Sequence, residues 1–386
     1  MEIKEVVPRG VLWYNSRGVL RRGNAAQTNV RTERTKDMLL EKTIAEIVPL
    51  DQSAMDAAWW HWDSIAKPLR SLGKLEKAVV QMAGIQGTSQ VDIAKKALLV
   101  LCADNGVVEE GVTQTGQEVT AQVAENFLQE KATAGILCRK TGADIFPVDM
   151  GIYRDTTIRN CKIAYGTQNM TKGPAMSREQ ALQGLETGIR LAMEKKEEGY
   201  RILATGEMGI GNTTTSSAMA SVFLGRPAEE LTGRGAGLSS EGLNRKIQAI
   251  KKAVALNRPD PEDPVDVLAK VGGFDIAGMA GVFLGGAAMH MPVVIDGFIS
   301  CVAALTAMRI CPQAADYMMA SHVSREPAAE MLLAAIGKEA FLTCDMCLGE
   351  GSGAIMLFPL LDMGLEVYNK MATFEENEIE TYVPLS

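Results

Sequence analysis

Histidine is scarce: the chain has 3 in 386 residues, at His61, His290 and His322. They form no H-E-x-x-H pair and no Ser-His-Asp order, so neither a zinc hydrolase nor a serine hydrolase is indicated and no metal is expected. Aromatic residues are only 5% of the chain, which suits helices packed closely on a sheet, and the formal net charge of −8 argues against broad nucleic-acid binding. The 7 cysteines are an odd number, and most stand in apolar segments. Reduced, buried thiols in a cytoplasmic protein are the expectation. The single close pair, Cys344-Asp345-Met346-Cys347, lacks a second pair to complete a zinc site and is read as structural. No Gly-Lys-Ser/Thr of a Walker A loop occurs. The N-terminus lacks an apolar core, so no secretory signal is expected.

A long uninterrupted hydrophobic run is missing too. From Ile276 to Ile295 the only strongly polar residue is His290, but Pro292 divides the segment and Asp275 and Asp296 close it. This predicts a buried helix to about Met289 and a short strand from Pro292, with no membrane span. Gly281 and Gly285 would mark close helix packing, and His290 would be a core histidine. His61, inside Trp59-Trp60-His61-Trp62, reads as part of a packing cluster, and His322 as a residue that could line a site.

What is present is 47% apolar and 22% charged residues, ordinary for a globular protein, in a length that suits two or three domains. Residues 1–37 differ from the rest: they carry a formal charge of +4 and the remainder −12. They are expected to be an extension, disordered or preceding a natural start at Met38. Residues 51–87 read as helices broken near Lys67-Pro68, and 97–103 as a buried strand ending in Asp104-Asn105-Gly106. Helical periodicity runs over 118–138, 178–197 and 239–256. Strands are predicted at 143–150, 201–205, 293–295 and 317–320. Strands alternating with helices define an α/β fold with a parallel sheet flanked by helices, three-layer and Rossmann-like. Ligands in such folds bind beyond the carboxyl ends of the strands. Asp104-Asn105-Gly106, Gly206-Glu207, Asp296-Gly297 and Ser321-His322-Val323-Ser324 would gather there.

Three glycine-rich loops could carry chemistry. The first is Gly206-Glu207-Met208-Gly209-Ile210-Gly211-Asn212-Thr213-Thr214-Thr215, between a strand-like and a helix-like segment. Its glycines permit sharp turns and close approach to a ligand, and its helix start attracts phosphate. Glu207 would repel that phosphate and needs another role. The second loop, Gly233-Arg234-Gly235-Ala236-Gly237, precedes a helix with Arg245 and Lys246 and could form a second side of a phosphate pocket. The third, Leu348-Gly349-Glu350-Gly351-Ser352-Gly353-Ala354, again sets a glutamate between glycines ahead of an apolar helix. Paired carboxylates across one pocket are one reading; two helix starts, each with an acid that complements the dipole, are the other.

In combination these segments resemble the nicotinate-nucleotide–dimethylbenzimidazole phosphoribosyltransferases of cobalamin lower-ligand assembly. Gly206 to Thr214 matches that family's signature, and Ala103-Asp104-Asn105-Gly106-Val107, Glu109-Glu110-Gly111-Val112, Gln117 to Gln122, Gly173-Pro174-Ala175-Met176-Ser177, Val271 to Ile276, Asp296-Gly297-Phe298 and Leu348 to Gly353 follow in order. The resemblance spans about Met38 to Phe374. It implies a homodimer whose subunit joins a large α/β catalytic domain to a small helical domain built from both chain ends. The corresponding spans are 38–75 for the first part of the small domain, 76–345 for the catalytic domain, and 346–386 for the glutamate loop and C-terminal helices.

The resemblance also implies transfer of the phosphoribosyl group of nicotinate mononucleotide to 5,6-dimethylbenzimidazole or a related base, without metal or cofactor. Glu350 would be the general base, and Glu207 would serve the ribosyl centre or assist Glu350. Gly209, Ile210, Gly211, Asn212, Gly235, Ala236, Gly237 and Lys246 would hold the phosphate and ribose, with Asp296 and Ser324 nearby. Thr115, Gln122 and Leu348 would neighbour the aromatic base. The family's Lys-Pro-Pro-Gly-Ser-Leu-Gly stretch reads Lys67-Pro68-Leu69-Arg70-Ser71-Leu72-Gly73 here, which alters a turn, and Thr113-Gln114-Thr115-Gly116-Gln117 departs from the common forms near the base pocket. An oxidoreductase would need G-x-G-x-x-G after the first strand, where the chain has Asp104-Asn105-Gly106-Val107-Val108. A non-catalytic nucleotide-binding protein would have no need of both glutamate loops.

Overall fold

The computed structural model of the chain describes residues 38–382, so the expected extension at 1–37 lies outside the described residues. A parallel six-stranded sheet forms the centre, in the order β3-β2-β1-β4-β5-β6. The strands are β1 (Lys96–Ala103), β2 (Ala143–Gly151), β3 (Arg159–Asn160), β4 (Ile202–Met208), β5 (Val293–Ile295) and β6 (Met318–Ala320). All eight residues of β1 are buried, which a central strand needs when helices cover both sheet faces. Its side chains alternate between two cores. Leu99 and Leu101 join Ile276, Phe283 and Val302 on one face, while Leu98 and Val100 join Trp62, Val79 and Phe358 on the other. The chain winds outward from β1 to β3, returns to β4, and winds outward again to β6. This is the expected three-layer α/β fold, and its strand order reverses between β1 and β4.

The helices Arg178–Glu197 and Phe274–Ala288 pack through glycine. A methyl on Gly188 would collide with the carbonyl oxygen of Gly278, and one on Gly281 with that of Leu185. The apolar segment is thus a buried helix, as expected, and no described helix is long and apolar enough to cross a membrane. His290 is different: it is exposed, at φ 51° in the turn after that helix, because the chain must reverse before β5. Cys344 and Cys347 are exposed as well, since the loop ahead of Gly349 runs over the surface.

Helices from both ends of the described chain meet on one sheet face. Gln52–Ser64 and Lys74–Gln86 pack with each other, and Ser352–Lys370 packs on Lys74–Gln86. His61 belongs to this contact, with Nε2 2.7 Å from the carbonyl oxygen of Tyr368. Arg70, in the turn that the sequence marked as altered, adopts φ 61°. A left-handed conformation costs a non-glycine residue roughly 1 kcal/mol. The side chain holds it there, 2.9 Å from Asp63 and stacked 3.7 Å from the Trp59 ring centroid.

Two departures from the predicted elements matter for the site. The helical pattern over 118–138 is broken into Glu118–Phe127 and Thr133–Thr141, with Glu130 at φ 52° in the join. Gly135 tucks the second helix under the first: a methyl there would lie 2.9 Å from the carbonyl oxygen of Phe127. The break creates an extra helix start at Thr133. The strand predicted at 201–205 runs on to Met208, so Glu207 stands within β4 and not in the loop beyond it.

Candidate active site

Polar segments at the ends of β4, β5 and β6 converge with the loops at 112–115, 234–238 and 347–350 around one cavity of about 380 Å³. It opens at the carboxyl edge of the sheet beside the β1–β4 reversal. Glu207, Asp296, Gly297, His322 and Ser324 all line it, so three of the four polar strand ends gather as expected. The fourth, Asp104-Asn105-Gly106, lies behind the wall. There Thr120 Oγ1 donates to Asp104 at 2.6 Å and accepts from the Ile210 N–H at 3.1 Å.

The two glutamate loops close on each other. A methyl on Gly206 would lie 2.6 Å from the carbonyl oxygen of Glu350, and one on Gly349 would collide with Glu207 Oε1. Three successive residues hold left-handed backbone: Gly349 at φ 89°, Glu350 at φ 62° and Gly351 at φ 83°. Only Glu350 among them bears a Cβ, and non-glycine residues in that region cluster at functional sites. Its Oε2 accepts from the Ala134 N–H at 3.3 Å, at the helix start created by the break after Phe127. Burial raises the Glu350 carboxyl and the charge of Asp296 adds to the shift, while the bond from Ala134 opposes it.

Glu207 is 7% exposed. Burial pushes its carboxyl up to about 8, and the charge of Asp275 adds to the effect. Asn212 joins the two acids: its Nδ2 donates to Glu207 Oε2 and, at 3.0 Å, to Asp275 Oδ2. Asp275 is fully buried, and burial lifts it to about 7. Asp296 has another task. It accepts N–H bonds from Gly351, Gly353 and Ala354 at 3.2, 2.7 and 3.0 Å, and so caps the Ser352–Lys370 helix. Burial raises its carboxyl, opposed by His322 beside it. Gly353 makes room for that ring, since a methyl there would collide with His322 Nδ1.

Two further helices, Asn212–Leu224 and Phe298–Ile310, start at the cavity from Gly211 and Gly297 without side-chain caps. Their open N-terminal turns suit an anion. Gly235 and Ala236 face them, and Lys246 stands behind Gly235. Lys246 donates to Thr213 Oγ1 at 2.9 Å and to the Gly233 carbonyl at 3.2 Å, and burial lowers it to about 8. Val112, Val119, Val123, Met208 and Leu348 form an apolar part of the wall, alongside Thr113, Gln114 and Thr115.

Of the residues expected at the site, Glu350, Glu207, Gly209, Ile210, Gly211, Asn212, Gly235, Ala236, Asp296, Ser324, Thr115 and Leu348 line the cavity. Gln122 does not: it is exposed, and Val119 and Val123 of its helix face inward instead. Gly237 and Lys246 stand outside the lining. The Gly237 carbonyl accepts from Gln114 Nε2. Gly209 is glycine for packing, because a methyl would collide with the Ala103 carbonyl at the end of β1. Sequence reasoning missed Asp275, Glu326 and the valines. An i, i+4 valine pair was the one available signal.

Such a cavity, with anion-attracting helix starts beside buried carboxyls and an apolar wall, suits a transferase acting on a phosphorylated sugar and an aromatic base. A family model described as a phosphoribosyltransferase matches residues 47–379. The nicotinate-nucleotide–dimethylbenzimidazole phosphoribosyltransferase of Ruminiclostridium cellulolyticum is 47% identical over 351 residues, covering 90% of this chain and 100% of that protein. That of Clostridium acetobutylicum is also 47% identical, with the same coverage. The crystal structure of CobT from Thermus thermophilus superposes with a TM-score of 0.81 at 37% identity, covering 85% of this chain and 99% of that one. The chain belongs to the nicotinate-nucleotide–dimethylbenzimidazole phosphoribosyltransferase family.

Proposed function

We propose that the cavity binds nicotinate mononucleotide and a benzimidazole-type base and transfers the phosphoribosyl group between them. The carrying observation is the pair of glycine-framed glutamates, Glu207 and Glu350, on one cavity wall. The C1′–N bond to the pyridinium breaks, its electrons neutralise the ring, and nicotinate leaves. A benzimidazole nitrogen bonds to C1′, and the N–H proton on the other nitrogen goes to Glu350. The product is α-ribazole 5′-phosphate. Glu350 must be ionised to act; its raised carboxyl makes it a stronger base than an ordinary glutamate.

Glu207 is held mostly protonated at neutral pH by burial and Asp275. A cationic pyridinium donor would favour its ionised form, and the carboxylate would then face positive charge growing at C1′. The open helix starts at Gly211 and Gly297, with Gly235, Ala236 and Lys246, would hold the 5′-phosphate. The apolar wall of Val119, Val123, Met208 and Leu348 fits a flat aromatic base, with 5,6-dimethylbenzimidazole or a close relative the preferred class. We also infer a cytoplasmic homodimer, with the helices from both chain ends acting as a small domain. Ile136, Met356 and Met363 are exposed on a packed helix pair beside the site, and a second copy would cover them.

The test is to incubate the protein with nicotinate mononucleotide and 5,6-dimethylbenzimidazole and follow nicotinate by chromatography. Release that depends on the base is expected. Folded protein that gives no product with any benzimidazole would refute the reading.

A further inference from the structure

Glu326 follows β6 and lines the cavity, yet its Oε2 is shut off from solvent and has no hydrogen-bond partner. A buried polar atom left unpaired calls for a reason. The oxygen lies over Gly233, where a methyl would collide with it. The carbonyl of the same Gly233 accepts from Lys246 Nζ at 3.2 Å. Lys246 is 1% exposed, and its other bond goes to Thr213 Oγ1 at 2.9 Å. An ammonium has three N–H groups, so one is left over. A buried cation with a spare donor and a buried carboxylate oxygen without a partner therefore share contact with one glycine.

We propose that Glu326 is a positioning residue: acting across Gly233, it keeps the Lys246 ammonium charged and leaves its third N–H free for the 5′-phosphate of the donor. The proposal rests on the phosphate-binding reading of Lys246 given above. A direct ion pair would occupy the spare N–H and set a carboxylate against the phosphate. With Gly233 touching both, the negative charge acts on Lys246 without taking its donor. The groups that face Lys246 are Thr213, the Gly233 carbonyl and Glu326. Burial lowers the lysine to about 8, and Glu326 is the charge that opposes the shift. The Arg234 guanidinium is engaged elsewhere, with the Leu238 carbonyl at 2.7 Å and Ser240 Oγ at 3.2 Å.

The test measures kcat and KM for nicotinate mononucleotide from about pH 6 to about pH 9.5 in the wild-type chain, Glu326→Gln, Glu326→Asp and Lys246→Met. In the wild type, kcat/KM should fall as pH rises through about 8. In Glu326→Gln that limb should move down by roughly one pH unit, raising KM about tenfold at the alkaline end. The loss should be concentrated on the alkaline limb and in KM more than in kcat, and Glu326→Asp should restore part of the shift. A merely structural role would lower activity at every pH. An unmoved limb in Glu326→Gln, with the limb lost in Lys246→Met, overturns the role of Glu326. Wild-type donor KM in Lys246→Met overturns the reading of Lys246 instead. Should Glu326→Gln fail to fold, Gly233→Ala, which displaces Oε2, must shift the limb the same way or the proposal fails.

Discussion

Gly206 and Gly351 meet backbone to backbone: a methyl on Gly351 would stand 3.2 Å from the Cα of Gly206. This contact lets the segment bearing Glu350 lie directly on the strand bearing Glu207. Gly206→Ala should push the Glu350 carbonyl away, since the new methyl would start 2.6 Å from it. We expect kcat to fall by at least tenfold, about 1.4 kcal/mol in the barrier, with donor KM changed less. Steady-state kinetics with a matched melting curve check this; normal kcat in a folded Gly206→Ala protein would refute it.

Glu350→Gln keeps the shape and removes the base. Turnover should drop by about two to four orders of magnitude, the usual contribution of a positioned base. The acid limb of kcat/KM for the benzimidazole should vanish too. The sign follows from the raised carboxyl: as pH falls through that value Glu350 protonates and can no longer accept a proton. A pH–rate profile reads both effects, and near-normal turnover would move the base elsewhere.

Glu207 and Asp275 make folding sensitive to alkali. Their folded values are about 8 and about 7, above the roughly 4 of the unfolded chain. The folded state thus holds protons that the unfolded state has released. Their contribution to stability is full below about pH 4 and declines as pH rises toward 8. Glu207→Gln and Asp275→Asn should each flatten that decline, by an amount on the order of a few kcal/mol. Thermal melts from acid to alkaline pH report it; curves parallel to the wild type would contradict the assignment.

Asp296→Ala should leave the N–H groups of Gly351, Gly353 and Ala354 without their acceptor. A loss of roughly 2 kcal/mol or more is expected. Because Gly351 adjoins Glu350, kcat should fall along with the melting temperature. Denaturant melts and kinetics on one preparation would separate the two losses.

Val123→Asp would place a charge in the apolar wall. We expect KM for the benzimidazole to rise at least tenfold with donor KM nearly unchanged, the cost of burying an unpaired polar group against an aromatic ring. Equal changes in both KM values would show that the wall serves the donor instead.

The fold and the two glutamates were legible because their signals are local. A buried β1 reads as an apolar run, and a glutamate between glycines ahead of a helix stands out in one dimension. Asp275 was not legible as a partner of Glu207, since it lies 63 residues from Asn212, the residue of the Glu207 loop that joins the two acids. Gln122 misled because one helical residue is about 100° of rotation. Val123 points inward and its neighbour does not. The break after Phe127 was hidden by a continuous helical period, although it supplies the N–H that Glu350 accepts. Glu326 had no sequence signal at all; its interest lies in an atom with no partner.

The cavity draws its walls from segments between Val112 and Glu350, most of the described chain. No hairpin or single helix contains even half of it. During refolding the site therefore appears only when β1, β4, β5 and β6 are all in place, each joined to its neighbour across a long stretch of chain. Regain of turnover should trail regain of helical signal, and cutting the backbone between those strands and separating the pieces should leave fragments with no residual catalysis.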